Sequence, residues 1–125
     1  MRNQLKRAPV VGAADPSVIA RRVADAIASY IAFGALASAM EACLNLARLA
    51  SQSHPAEAAQ LVGTMEARGR DRVPEDVRRL GDALREGLGT QAYAHHHALG
   101  AALDDDGVSR LARDLAADLR AAPTA

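Results

Sequence analysis

Pro74-Glu75-Asp76-Val77-Arg78-Arg79-Leu80-Gly81-Asp82-Ala83-Leu84-Arg85-Glu86-Gly87-Leu88-Gly89 reads as one complete amphipathic helix. A proline suits the first turn, where its missing N–H costs nothing, and Glu75 and Asp76 complement the positive end of the helix dipole. Val77, Leu80, Leu84 and Leu88 recur at three- and four-residue intervals, with Val73 just ahead of them. Gly89 ends the run, because glycine takes the backbone angles that stop a helix without steric cost.

The same grammar extends in both directions. Beyond Gly89, Thr90 is placed to cap a helix carrying Ala92, Tyr93, His96, Leu99 and Leu103. Asp104-Asp105-Asp106-Gly107 then forms a turn and a new N-terminus, followed by the stripe Val108, Leu111, Leu115 and Leu119. On the other side, Ser51-Gln52-Ser53-His54-Pro55 is a turn with Ser53 or His54 at the capping position. Leu61, Val62 and Met65 give the next helix its apolar face, Ala58 and Ala59 permit close approach, and Arg68-Gly69 marks its end. Asp15-Pro16-Ser17 opens the first helix, with Ile19, Val23, Ala26, Ile27, Tyr30 and Ile31 along one face. A second stripe runs through Leu36, Met40, Cys43, Leu44 and Ala47. With Gly34 the only candidate break, the spacing predicts a long helix over about 16–52, either bent or interrupted near Gly34. No segment alternates with period two over the length of a strand. The expected fold is all-α, an antiparallel helical-hairpin array of five to six helices. Residues 15–121 form one domain, 1–14 a flexible arm and 122–125 a frayed tail.

Composition agrees. Of 125 residues 30 are alanine and only three are aromatic, which favours closely packed helices over a sheet. Fifteen basic and fifteen acidic groups give zero net charge, so the basic excess typical of direct nucleic-acid binding is absent. Cys43 is the single cysteine, which excludes an intrachain disulfide and suits a reducing compartment. The apolar stretch after Arg2, Lys6 and Arg7 is short and holds Pro9 and Gly12, unlike a secretory signal. The uncharged apolar run Ala26 to Met40 has 15 residues where a membrane span needs about 20. A cytoplasmic location, away from membranes, is expected.

Pro55-Ala56-Glu57-Ala58-Ala59-Gln60-Leu61-Val62-Gly63 resembles the P-E-R-A-A-R-L-L-G run of a terminal helical repeat. Val73-Pro74 to Leu88-Gly89 matches the long helix that follows, and Ala92-Tyr93-Ala94, Gly100, Leu103 and Leu111-Ala112 match the tail segment. Over residues 40–121 the chain is thus similar to the C-terminal tetratricopeptide-like region of large bacterial ATPase regulators, including LuxR-type transcriptional regulators. His97 stands where that tail has Trp, and Asp105 where it has Leu, so two apolar anchors are missing. There is no phosphate-loop motif G-x-x-x-x-G-K-S/T. The resemblance implies a helical scaffold offering surface to a partner, without the regulators' nucleotide chemistry.

Residues that suggest chemistry are few. His95-His96-His97 is the densest cluster, but neighbours on a helix lie about 100° apart, so all three cannot face one metal. Asp104-Asp105-Asp106 fails the calcium-loop spacing and reads as helix capping. Arg68, Arg70, Arg72, Arg78 and Arg79 are interleaved with Glu66, Asp71, Glu75 and Asp76 and read as a solvated rim. Cys43 sits within an apolar stripe as a small core residue. These readings point to a non-catalytic protein-interaction module, with no cofactor, that binds a protein partner or its own copy, most simply as a homodimer. The expected seam is Ile19, Ile27, Ile31, Phe33 and Leu36, left uncovered because a lone terminal repeat has no preceding neighbour. Two alternatives remain: a bundle that binds a small ligand or metal through His95, His96 or His97 with Tyr93, and a detached fragment of a larger regulator.

Overall fold

The computed structural model describes residues 15–69 and 73–121, which form six helices and no strand. The expected arm over 1–14 and tail over 122–125 lie outside the described residues, as do Arg70 and Arg72 of the arginine-rich turn. The helices are α1 (Pro16–Ala32), α2 (Leu36–Ala50), α3 (Pro55–Gly69), α4 (Glu75–Leu88), α5 (Thr90–Ala101) and α6 (Asp105–Ala121).

The chain breaks at Gly34, the position at which the rod expected over about 16–52 could be interrupted, so that stretch is two helices and the count is six. Gly34 takes φ 73°, a left-handed conformation that glycine adopts freely. Its N–H donates to the Ile31 carbonyl at 3.1 Å, and the Ala35 N–H donates to the Tyr30 carbonyl at 2.8 Å. This is the paired hydrogen-bond pattern of a Schellman terminus, which satisfies the last carbonyls of α1 and fixes the direction in which α2 leaves.

The other ends follow the chemistry of their caps. The Asp15 carboxylate accepts from the Ser17 backbone N–H at 3.0 Å and from the Ser17 hydroxyl at 2.7 Å. Those bonds to Ser17, the side-chain one foremost, hold the Asp15 carboxyl below its usual pKa. Asp104 caps α6 in the same manner: its carboxylate accepts from the Gly107 N–H at 2.7 Å and its carbonyl from the Val108 N–H at 2.9 Å. At the turn before α3, the His54 carbonyl receives the Ala58 N–H, whereas the Ser53 hydroxyl lies 2.8 Å from His54 Nδ1. His54 is therefore the capping residue. Thr90 does not cap α5. Gly89 ends α4 and begins α5 alone, at φ 93° and ψ 151°, an angle pair essentially reserved for glycine. One residue thus turns the chain, leaving Thr90 already inside the helix.

α3 is central, packing against α2, α4 and α5 and touching α6. Its closest neighbour is α5, and the reason is two glycines. A Cβ on Gly63 would collide with the His97 carbonyl, and a Cβ on Gly100 would collide with the Gln60 carbonyl. The crossing is reciprocal: each glycine faces the carbonyl three residues before the other. The Thr64 hydroxyl secures it with a buried 2.9 Å bond to the Gly100 carbonyl. Gly81 on α4 makes room in the same layer for the buried Tyr93.

At the other end, α6 returns to pack against α1, and α1 also packs against α2. Ala20, Ala24 and Ile27 of α1 and Val108, Ala112, Leu115 and Ala116 of α6 are all buried. The expectation of an uncovered first helix is thereby corrected. The role a preceding repeat would have played falls to the chain's own last helix. Consecutive α1–α2 and α3–α4 pairs suit a helical-hairpin array, and α6 closes it onto its own beginning. Among the described residues, no helix is long and apolar enough to cross a membrane.

Candidate docking groove

The residues of the expected seam separate into two groups. Ile27 is fully buried in the core and is not available to a partner. Ile19 and Ile31 are half-buried, Ile31 against that core. Phe33, by contrast, is 86% exposed and Leu36 is 46% exposed. The uncovered apolar surface is therefore at the corner joining α1 to α2 and does not run along α1.

From that corner an apolar groove of about 580 Å³ opens between α2, α3 and the start of α4. Leu36, Met40 and Leu44 form one wall at four-residue spacing; Met65 and Val77 stand opposite, with Pro74 at the end. In α2 the buried residues are Ala39, Ala42, Cys43, Leu46, Ala47 and Ala50, so the groove wall is a second stripe beside the core stripe. Sequence reading merged the two, placing Met40 and Leu44 with Cys43. An apolar arc too broad for one stripe was the signal present in the sequence.

Polar groups frame the groove. Glu41 is exposed at its edge. Arg68 is pinned, donating to the Asp105 carboxylate at 2.8 Å and the Leu103 carbonyl at 3.1 Å. That tie holds the end of α3 to the turn before α6 and to the first residue of α6. Behind this wall, burial pushes the Cys43 thiol up to about 12, against the opposing pull of the Arg68 charge. Cys43 is thus a neutral core side chain at physiological pH and not a nucleophile.

The three histidines have three different environments. His97 Nε2 lies 2.7 Å from Glu66 Oε1, linking α5 to α3, with its ring centroid 5.6 Å from that of Tyr93. The Arg85 guanidinium covers the other aromatic neighbour, 5.0 Å from the Tyr93 centroid. Burial foremost, and then the Glu66 charge, raises the Tyr93 hydroxyl pKa. His96 is half-buried with Nδ1 lacking a partner among the described residues, and exposed His95 meets the His96 ring edge-on at 5.1 Å. Among the described residues, no three potential metal ligands converge.

Comparison with known protein families, curated proteins and solved structures found no match. No relative lends this chain an activity. A Met- and Leu-lined cleft between helices has the form that receives an apolar protein segment. Among the described residues that line it, the ionisable side chains are Glu41 and Arg68.

Proposed function

We propose that this chain is a non-catalytic docking module whose α2–α3–α4 groove receives an apolar segment of protein. The observation that carries the reading is the groove itself: about 580 Å³ walled by Leu36, Met40, Leu44, Met65 and Val77. Its size falls within the range of built binding pockets, roughly 300–1,000 Å³. Methionine walls adapt to different apolar shapes because the side chain is unbranched and polarizable. The resemblance to the C-terminal helical region of bacterial ATPase regulators supports a regulatory setting in a bacterial cytoplasm. The histidine alternative has less support, since its best-placed member, His97, is engaged by Glu66 and its ring packs on Tyr93.

An apolar fluorescent dye tests the groove directly. The folded chain is expected to bind it, and Met40→Glu, which places a carboxylate in the wall, is expected to weaken binding at least tenfold while the far-ultraviolet helical spectrum is retained. Charge in an apolar site is unfavourable by several kcal/mol in order of magnitude, ample for that loss. Binding unaffected by Met40→Glu, or absent from the wild type, overturns the assignment.

A further inference from the structure

The groove and the corner beside it suit each other. Phe33 is the chain's only phenylalanine and stands 86% exposed. Its backbone is fixed: Phe33 N–H donates to the Ser29 carbonyl at 3.0 Å, and Gly34 and Ala35 complete the Schellman turn around it. Leu36, at 46% exposure, extends the same corner. A rigid apolar projection of this kind in a chain without net charge favours association.

Phe33 is only three residues from Leu36, where the groove begins, so their Cα atoms are at most about 11 Å apart. That proximity decides the geometry. If projection and groove lay far apart on the surface, copies would join head to tail into an open chain. With the two adjacent, a two-fold axis beside Leu36 places each projection in the other copy's groove, and the assembly closes at two. Resting on the docking reading above, we infer that the groove's occupant is the α1–α2 corner of a second copy of this chain, with Phe33 inserted reciprocally. Each junction involves one corner of the chain and one groove, so a micromolar dimer is expected rather than an obligate one.

Sedimentation equilibrium of the full chain over about 1–200 µM reads this, a range matched to a small interface. The wild type is expected to dimerise; Phe33→Asp and Met40→Glu are each expected to weaken the dimer at least tenfold, and Val18→Asp, exposed on α1, to leave it unchanged. Mixing two disabled variants is the decisive arm. Phe33→Asp keeps a groove and Met40→Lys, used in this arm so that the second junction sets opposite charges together, keeps a projection, and the mixture is expected to form a heterodimer more tightly than either variant pairs alone. If Met40→Glu impairs folding, Leu36→Glu, at a more exposed wall position, replaces it. A dimer indifferent to both changes, or a mixture that stays monomeric, overturns the inference. A wild-type monomer that still binds the dye in a Met40-dependent manner overturns it too, yet leaves the groove reading standing. A monomer that binds no dye removes both.

Discussion

Gly100→Ala is expected to destabilise the fold by roughly 3 kcal/mol, at the upper end of overpacking effects. The added methyl falls on the Gln60 carbonyl, a backbone atom that cannot rotate aside. Accommodating it requires α5 to move off α3, which also breaks the buried bond from Thr64 to the Gly100 carbonyl. Alanine's better helix propensity recovers only about 1 kcal/mol. With total stability on the order of 5–15 kcal/mol, the variant should melt about 10 °C lower, or more. Gly87→Ala is the matched control. Gly87 is also helical, but nothing lies within 4 Å of a Cβ there. That variant should gain about 0.5–1 kcal/mol from the entropy of the unfolded chain and from helix propensity. Thermal and urea denaturation of the two variants check both signs. Equal stability for both would mean that α3 and α5 do not approach so closely.

Leu115→Ala is expected to cost about 2–5 kcal/mol, the range for deleting a fully buried leucine side chain. Leu115 is 1% exposed on α6, which packs against α1. The effect therefore reports whether the last helix belongs to the same core as the first. Leu99→Ala on α5 removes the same atoms from a side chain that is 47% exposed, and should cost less than about 1 kcal/mol. Urea unfolding with one cooperative transition for both variants, displaced strongly only for Leu115→Ala, is the expected outcome. A separate early transition in Leu115→Ala would show α6 to be an appendage, and the closed arrangement would be wrong.

The legible part of this fold was local. Pro16, Pro55, Gly34, Gly69, Gly89 and the Asp104 turn punctuate the chain through backbone chemistry that needs no tertiary context. Helix count and approximate boundaries followed from them. Apart from the Thr90 cap, the misreadings concern which element covers which. Leu99 fits the α5 stripe by spacing, but α5 docks through Tyr93 and Gly100, because glycine permits the closer approach. Ile27 and Phe33 look equivalent as apolar residues of one stretch. One is buried and the other projects, since α6 covers α1 and the Gly34 turn carries Phe33 off the end of the helix. A return by the last helix leaves no mark in a single sequence, because small residues such as Ala112 and Ala116 suit any helix partner. The candidate site was half visible for the same reason. Phe33 and Leu36 were identified, whereas Met40, Leu44 and Met65 read as core until α3 and α4 were placed beside α2.

The central claim, that the groove is where this chain meets protein, is tested most directly by the methyl groups of its own wall. Chain labelled at the methionine methyls gives separate NMR signals for Met40 and Met65, both lining the groove. As the concentration rises through the micromolar range, these signals are expected to shift or broaden together, and to stay fixed in Phe33→Asp. Association detected by sedimentation while both signals remain unmoved would place the contact elsewhere and contradict the account.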